Sequence, residues 1–294
     1  MRSLLFVPGD SSRKLEKALA SGADVLLIDL EDSVDLSAKE EARRVTAAFL
    51  SEQQATPDRP RLFVRVNGLT TGLTDADLDG VMQAAPDGIV LPKTVGGADV
   101  AHLGAKLAVR EAEFDLKDGA TRILAIATEN AAGVFALGTF AGASHRLMGM
   151  TWGGEDLSAD LGAETNRDAD GAYTDPYRLA RSLTLLGAAA AGVDAVDSVF
   201  TNFRDMAGLE AECRMARRDG FVAKMAIHPA QVPIINEAFT PSQEAIDKAK
   251  AVIEAFKVNP GAGVVGVNGE MLDRPHQLRA ERLLRRAAQN AGRR

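Results

Sequence analysis

Short apolar runs recur along the chain with helix-length segments between them, and this repeat constrains the fold more than any other feature. Each run has the length of a buried strand. The predicted strands lie near residues 3–7, 25–30, 62–66, 88–92, 123–128, 147–152, 194–199 and 222–227. Eight strands alternating with helices predict a parallel α/β fold, and their number favours a closed (β/α)8 TIM barrel over residues 1–240. An open doubly wound sheet is the alternative, although no glycine-rich dinucleotide fingerprint follows the first strand.

Residues 241–294 follow a different pattern and are predicted to form a C-terminal extension. An amphipathic helix runs from Pro241 to Phe256, a hairpin with an Asn-Gly turn follows over 264–269, and a basic helix runs to the end. About fifty residues are too few to bury a stable core alone. We therefore expect this extension to be a lid or flap that docks on the barrel or on a neighbouring subunit.

Polar side chains follow six of the predicted strands at the point where each strand ends. In a barrel these ends converge on the carboxyl-end face, where active sites are built. Six polar strand ends are more than stability alone would explain. The segments are Asp29-Leu30-Glu31-Asp32, Arg65-Val66-Asn67-Gly68, Pro92-Lys93, Glu129, Gly154-Glu155-Asp156 and His228-Pro229.

Glu129 and Asp156 are the most informative of these residues. Each follows a buried strand, so we expect the two carboxylates to lie together at the rim with no lysine beside them. Magnesium takes one or two protein carboxylates and leaves its other positions to water and substrate oxygens. The sequence therefore favours a Mg²⁺ site held by Glu129 and Asp156. The alternative is that one acid caps the next helix and the other faces solvent.

The charged residues around this pair have two interpretations each. Arg65 is suited to bind a substrate carboxylate in two-point geometry, or it forms an ion pair with an internal acid such as Asp29. Lys93 is either a Schiff-base lysine or, as we favour, part of an ion pair at the rim. Glu31 and Asp32 are placed to accept hydrogen bonds from metal-bound water, or they cap the helix that begins near residue 37.

Net charge, apolar run lengths and cysteine count indicate which partners and which cellular compartment to expect. The 34 basic and 41 acidic residues give a net charge of −7, which argues against nucleic-acid and membrane-surface binding. No run approaches the roughly 18 apolar residues of a membrane span, and Pro8 ends the first apolar stretch too early for a signal sequence. The one cysteine, Cys213, fits a reducing compartment, so we expect a cytoplasmic protein.

Short motifs run in a fixed order over nearly the whole chain. They are Phe6-Val7-Pro8-Gly9, Ser21-Gly22-Ala23-Asp24, Asp29-Leu30-Glu31-Asp32-Ser33-Val34, Arg65-Val66-Asn67-Gly68, Leu91-Pro92-Lys93, Glu129 with Ala132-Gly133-Val134, Gly153-Gly154-Glu155-Asp156, Ala226-Ile227-His228-Pro229 and Gly269-Glu270-Met271-Leu272-Asp273. This ordered set resembles the citrate lyase β-subunit-like family, which includes malyl-CoA and citramalyl-CoA lyases. The resemblance implies a (β/α)8 barrel that assembles as a homotrimer or larger homo-oligomer and binds magnesium and a CoA thioester.

The resemblance also assigns roles to individual residues. It implies that Glu129 and Asp156 bind the metal, with Glu129 also beside the substrate, and that Arg65 binds the substrate carboxylate. It places the catalytic aspartate at Asp273, supplied by the extension of an adjacent subunit. Without the resemblance, Asp273 reads equally as the N-cap of the last helix. CoA contacts carry over to Phe6 and Lys17.

The implied reaction cleaves a β-hydroxyacyl-CoA, such as malyl-CoA or citramalyl-CoA, into acetyl-CoA and a 2-oxo acid, or runs in reverse. Three alternatives stay open: the citryl lyase β subunit of a multi-subunit citrate lyase, a malyl-CoA thioesterase, and a non-catalytic scaffold subunit. The segments 153–156 and 226–229 look more like those of the stand-alone enzymes.

Overall fold

Eight parallel strands form a closed barrel in sequence order. The strands are β1 (Ser3–Pro8), β2 (Val25–Asp29), β3 (Arg61–Arg65), β4 (Gly88–Leu91), β5 (Arg122–Ile126), β6 (Leu147–Thr151), β7 (Asp194–Asp197) and β8 (Ala223–Ala226). β1 pairs in parallel with both β2 and β8, which closes the ring. The computed structural model describes residues 1–267 and 269–291. The predicted (β/α)8 barrel is confirmed, and the open-sheet alternative is wrong because no strand edge remains between β8 and β1.

Helices connect the strands and cover the outside of the barrel. They are α1 (Ser12–Leu19), α2 (Lys39–Gln53), α3 (Thr74–Val81), α4 (Gly97–Glu113), α5 (Ala131–Phe135), α6 (Gly154–Asp160), α7 (Asp175–Ala191), α8 (Met206–Asp219) and α9 (Val232–Phe239). Local sequence explains several ends: α7 has Pro176 in its first turn and stops at Gly192, whose φ of 71° suits a left-handed cap. Within the described part of the chain, no helix has the length and apolar character needed to cross a membrane.

Alternate residues along each strand fill the barrel interior, because side chains of a strand point to opposite faces in turn. The interior cluster is built from Leu4, Val25, Leu27, Phe63, Val90, Leu124, Ile126, Val196, Ala223 and Met225. The other face of each strand packs against the helices in a larger apolar layer. The strands are therefore buried on both faces, which explains why they read as continuous apolar runs in the sequence.

The C-terminal extension consists of α10 (Gln243–Val258), a hairpin of β9 (Val264–Val267) and β10 (Glu270–Asp273), and α11 (Arg274–Ala291). A small apolar cluster joins the two helices to the hairpin. The hairpin pairs Glu270 with Val267, and Gly269 has a φ of 83°. The predicted Asn-Gly turn includes Asn268, which lies outside the described residues. The docking of this extension on a neighbouring subunit stays a prediction.

Candidate active site

A cavity of about 440 Å³ opens at the carboxyl-end face of the barrel. This volume falls within the range of about 300–1,000 Å³ that is usual for small-molecule sites. Four residues predicted from the sequence line it: Phe6, Arg65, Glu129 and Asp156. Residues that were predicted from different strands therefore line one cavity, as the barrel topology requires.

Glu129 lies just beyond β5 with its side chain buried in the cavity wall. Only 4% of the residue is exposed, and its Oε2 accepts a hydrogen bond from the backbone N–H of Lys93 at 2.5 Å. Burial, followed by the negative charge of Asp156, raises the pKa of the Glu129 carboxyl to about 8. A buried carboxylate beside a like charge is stabilised by taking up a proton or by a bound cation.

Asp156 lies in the first turn of α6 and is partly exposed toward the same cavity. The close approach of this loop to β5 depends on Gly153, because a Cβ there would lie 2.5 Å from Cγ of Glu129. Neither acid caps the helix after β5, since the side chain of Asn130 accepts the hydrogen bond from Gly133 N–H. Both carboxyl groups line the same cavity, and Asp156 is close enough for its charge to raise the pKa of Glu129.

A lysine does lie beside this pair, so the prediction of a lysine-free rim is wrong. The Nζ of Lys93 is 3.7 Å from Asp156 Oδ1, 2.9 Å from Glu31 Oε1 and 3.1 Å from Asp32 Oδ1. Lys93 has a φ of 54°, in the left-handed region that non-glycine residues rarely adopt. This conformation turns its N–H to Glu129 while its ammonium contacts the acids. Strained residues of this kind concentrate at functional sites.

The ammonium group of Lys93 forms the ion pair favoured from the sequence. Burial lowers the pKa of Lys93, but the hydrogen bond and charge of Glu31, together with those of Asp32, outweigh it and raise the pKa above its usual range. A Schiff-base lysine needs a lowered pKa, so its amine is free to attack. The arrangement therefore opposes the Schiff-base alternative.

Arg65 is held in a two-point ion pair with Asp29, which lies directly across from it in the β2–β3 register. Its Nε and Nη2 each lie 2.7 Å from an Asp29 oxygen, and its Nη1 is 2.9 Å from Glu31 Oε2. The guanidinium also lies 4.9 Å from the centre of the Phe6 ring. The ion pair that was the alternative for Arg65 is thus present. It fixes the guanidinium in the cavity wall, with its Nη1 side directed away from Asp29.

Glu31 and Asp32 contact Arg65 and Lys93 rather than a helix terminus. The turn at residues 36–38 is capped by Asp35, whose carboxylate accepts hydrogen bonds from Ser37, so the capping alternative for Glu31 and Asp32 is wrong. Burial raises the pKa of Glu31 against the lowering effect of Arg65. Among the described residues Glu31 Oε2 makes its charge contact with Arg65 but no hydrogen bond.

The charges in this wall do not balance. Among the described residues, six carboxyl groups face two cations: Asp29, Glu31, Asp32, Glu129, Glu155 and Asp156 against Arg65 and Lys93. Within residues 1–267 and 269–291, no three histidine, cysteine or acidic side chains are grouped to hold a metal ion. An ion here would take at most two protein carboxylates, with water and substrate completing its shell. Hard oxygen donors and excess negative charge are the donor set that magnesium prefers.

Two residues predicted to act at this site lie elsewhere in the chain. Asp273 ends β10, directly before α11, and its carboxylate lies 2.5 Å from Nδ1 of His276. Lys17 is exposed in the last turn of α1. Neither residue lines the cavity. Their roles as catalytic aspartate and CoA contact therefore stay predictions, and Asp273 occupies the N-cap position that was its alternative.

His228, directly after β8, has a structural role in the turn that follows it. Its side chain caps the turn at Pro229–Gln231 by accepting a hydrogen bond from Ala230 N–H at 3.1 Å. Its ring stacks on Phe203 with 5.0 Å between centroids. The residue therefore stabilises the loop that follows β8.

Sequence reasoning missed Trp152 and the charges behind it. Trp152 lines the cavity, and its indole N–H donates to Asp197 Oδ1 at 2.8 Å. Lys224, fully buried in β8, lies 3.0 Å from Asp197 and 2.7 Å from Glu212. Lys224 lies inside a predicted buried strand, and a buried charge needs a partner of opposite charge. This lysine could therefore have indicated a buried ion-pair network. This network fixes the ring beside the Gly153–Asp156 loop.

Fold and site together define a barrel enzyme with an acidic rim, and comparison with known proteins identifies its family. Residues 2–229 match the model of the HpcH/HpaI aldolase/citrate lyase family. The chain is 35% identical to the citrate lyase subunit beta of Leuconostoc mesenteroides subsp. cremoris over 291 residues, covering 98% of this chain and 94% of that protein. It is 37% identical to a (3S)-malyl-CoA thioesterase of Cereibacter sphaeroides, covering 97% and 94%.

Solved structures give the same result. The protein CitE of Mycobacterium tuberculosis, in complex with magnesium, acetoacetate and coenzyme A, superposes with a TM-score of 0.76 at 35% identity, covering 98% of both chains. The chain therefore belongs to the HpcH/HpaI aldolase/citrate lyase family, and the resemblance to citrate lyase β-subunit-like proteins is confirmed.

Proposed function

We propose that the chain is a magnesium-dependent carbon–carbon lyase acting on a β-hydroxyacyl-CoA such as malyl-CoA or citramalyl-CoA. Cleavage would yield acetyl-CoA and a 2-oxo acid, and the reverse reaction would condense them. The observation that carries the proposal is the juxtaposition of Glu129 and Asp156 in a cavity whose wall has more carboxylates than cations. Relatives crystallised with magnesium and with acetoacetate, pyruvate or oxaloacetate support it.

Glu129 and Asp156 would hold the magnesium ion. When bound, the ion would supply Lewis-acid polarisation of the substrate carbonyl. Lys93 keeps Glu129 in place through its backbone N–H, and Gly153 admits the loop that carries Asp156. Because the cavity wall has more carboxylates than cations, Glu129 and Asp156 would bind a cation in preference to the anionic groups of the substrate.

Arg65 would bind the substrate carboxylate. Asp29 occupies its Nε and one side of Nη2, which leaves hydrogen-bond donors on Nη1 and the other side of Nη2. The ion pair thus orients the guanidinium rather than using all of its donors. Lys93 also contacts Glu31 and Asp32, so both carboxylates would keep a cationic partner if a substrate carboxylate replaced their contacts with Arg65 Nη1.

The CoA moiety would enter along the β1 side of the cavity. Phe6 presents its ring to the cavity, and α1 carries exposed Arg13, Lys14 and Lys17, whose charges suit the phosphates of CoA. In the proposed homotrimer or larger homo-oligomer, Asp273 of a neighbouring extension would act as acid–base group and close the site from water.

Assaying malyl-, methylmalyl-, citramalyl- and citryl-CoA with and without magnesium tests the function. We expect the purified single chain to convert at least one of them to acetyl-CoA, or a homologue, and a 2-oxo acid, identified by mass spectrometry. Activity without added magnesium, or none with any thioester, would contradict the proposal. The second outcome would favour the non-catalytic scaffold.

The products of this assay also distinguish the lyase from two alternative functions. A malyl-CoA thioesterase, favoured by the 37% identity to such enzymes, would release free CoA and the intact hydroxy acid. A citrate lyase β subunit, favoured by the relative from Leuconostoc mesenteroides, would need partner subunits to act on citrate. Free CoA in place of acetyl-CoA, or activity only with such partners, would replace the lyase assignment.

Replacing Arg65 with lysine should weaken binding of the 2-oxo acid far more than binding of CoA. Lysine keeps the charge but loses the fork that can hold Asp29 and a carboxylate together. Loss of a charged hydrogen bond is worth about 1.5–3 kcal/mol. We therefore expect the KM for glyoxylate or pyruvate, whichever is used, to rise about ten- to hundredfold. Condensation kinetics with each substrate varied in turn measure this.

Arg43→Lys is the matched control for that variant. Arg43 pairs with the buried Asp77 at 2.7 Å and does not line the cavity, so it reports the general cost of an arginine-to-lysine change in a partly buried ion pair. It should leave both KM values unchanged. Unchanged KM values in Arg65→Lys would remove Arg65 from the substrate site.

A further inference from the structure

A second cavity lies at the opposite end of the barrel, where the strands begin. Its volume is about 530 Å³, and its wall includes the first residues of β3, β5 and β7, which are Arg61, Arg122 and Asp194. Arg61 and Arg65 are four residues apart on β3, which is about 13 Å along a strand. The two cavities are therefore separate, with the barrel interior between them.

The alternation of side chains places these three residues on the barrel axis. Phe63, Leu124 and Val196 lie two positions further along the same strands, and all three belong to the interior cluster. Since positions i and i+2 of a strand share a face, Arg61, Arg122 and Asp194 form the lowest interior layer. Their side chains converge on the cavity mouth rather than pointing outward among the helices.

The two guanidinium groups in this layer are not held in an ion pair by any described carboxylate, although the charge of Arg61 acts on Asp194. Among the described residues, neither Arg61 nor Arg122 makes a side-chain hydrogen bond or an ion pair within 4.0 Å. The wall's other acid, Asp87, already accepts hydrogen bonds from Arg59 at 2.5 Å and from Leu62 N–H at 2.7 Å. Most other arginines in the barrel have an acidic partner, so this pair is unusual.

Further cations surround the same mouth. The charges acting on Asp194 are those of the N-terminal amino group, Arg286, Arg285 and Arg61. Arg286 is partly buried, and its Nε has no hydrogen-bond partner among the described residues. A chain with a net charge of −7 thus concentrates positive charge at one end of its barrel. The wall itself holds two arginines and two aspartates, so the surrounding cations give this end of the barrel its excess of positive charge. Such an excess in a concave site attracts anions.

We propose that this cavity binds a small polyvalent anion, a phosphate compound or a polycarboxylate, through Arg61 and Arg122. An anion held by both guanidinium groups would supply the oxygen partners that neither group has within 4.0 Å among the described residues. The planar guanidinium of arginine binds phosphate and carboxylate oxygens equally well. The proposed ligand class is therefore defined by its negative charge. The site lies apart from the candidate active site and is independent of its chemistry.

Calorimetry of the full-length chain in metal-free buffer tests the proposal, with pyrophosphate and citrate as separate probes. We expect at least one of the two probes to bind with one molecule per chain. The probe with the higher affinity shows whether the site prefers a phosphate compound or a polycarboxylate. Arg61→Gln and Arg122→Gln should each weaken binding about tenfold or more, the worth of a charged hydrogen bond. Both variants should keep wild-type lyase activity.

Two control variants locate the binding. Arg44→Gln removes an exposed arginine paired with Glu41 on α2 and should leave the affinity unchanged. Arg65→Gln disables the other cavity and should also leave it unchanged. If Arg65→Gln abolishes binding while the Arg61 and Arg122 variants retain it, the anion occupies the candidate active site and the proposal is wrong.

Thermal unfolding separates a binding role from a structural one. Without anion, Arg61→Gln and Arg122→Gln should unfold at the wild-type temperature or above it, because each removes a repelling charge. Pyrophosphate or citrate should raise the wild-type unfolding temperature and have little effect on the variants. Lower unfolding temperatures in both variants without anion, or no binding of either probe, would overturn the proposal.

Discussion

Replacing Glu129 or Asp156 with alanine is expected to abolish both magnesium binding and lyase activity in a protein that stays folded. At most two protein carboxylates are available to the ion, so losing one removes half of its protein ligands. The fold should tolerate the change because burial and Asp156 raise the pKa of Glu129, which means that its ionised form is unfavourable in the folded state. Calorimetry with magnesium and thermal unfolding measure the two effects.

Glu155→Gln is the matched control. Glu155 lines the same cavity from the same turn of α6, but its side chain is exposed and accepts a hydrogen bond from Asn166 at 2.8 Å. It should bind magnesium with wild-type affinity. Undiminished magnesium affinity in both alanine variants would refute the assignment of Glu129 and Asp156 as ligands.

The pH dependence of magnesium binding gives a second readout of the same assignment. With its pKa raised to about 8, Glu129 is protonated in the metal-free protein at neutral pH. Magnesium must displace this proton, so its apparent affinity should rise toward pH 8 and level off above it. If the magnesium affinity did not change from pH 6 to 9, magnesium binding would not displace a proton from Glu129.

Sequence predicted the barrel well because its strands are buried on both faces and must be apolar. The predicted strand near 25–30 is β2 at Val25–Asp29, and the one near 123–128 is β5 at Arg122–Ile126. Once the strands are parallel and closed, the residues that follow them converge at one face. The proximity of Glu129 and Asp156 thus follows from topology rather than from either residue's local sequence.

From the sequence alone, the ion pairs of Arg65 and Lys93 are each only one of two interpretations, and their full set of partners is not specified. Arg65 meets Asp29 because β2 and β3 pair in that register, which two apolar runs do not specify. Lys93 reaches Glu31, Asp32 and Asp156 because its backbone adopts a left-handed φ, and a lysine gives no local signal for that conformation. Such pairings depend on the three-dimensional arrangement and on strain supported by the surrounding fold.

Asp273→Asn is expected to lower turnover by about 10²–10⁴, the usual contribution of a positioned acid–base group, while magnesium and CoA still bind. The cavity is lined by residues from Phe6 to Ile227, so none of the extension contributes to it within one chain. The hairpin nevertheless exposes apolar Met271 and Val264, at 80% and 49% of their surface. An exposed apolar hairpin that ends in a carboxylate is suited to dock on another subunit.

His276→Ala separates catalysis from local structure. It removes the contact between Asp273 and His276 but leaves the carboxylate, so a role limited to holding α11 would make both variants equally slow. Glu270→Gln, on the same strand and in an exposed ion pair with Lys248, controls for charge loss on the hairpin. We expect both control variants to retain most of the wild-type turnover.

Mixing two inactive variants tests whether each site is shared between subunits. Asp273→Asn chains retain the metal ligands, and Glu129→Ala chains retain the aspartate, so in mixed oligomers some sites receive one intact group from each chain. Partial activity should therefore return when the variants exchange subunits, with its yield depending on their ratio. Exchange must be verified independently, for example by native mass spectrometry of differently tagged chains. If subunits exchange and no activity returns, Asp273 acts within its own barrel or has no part in catalysis.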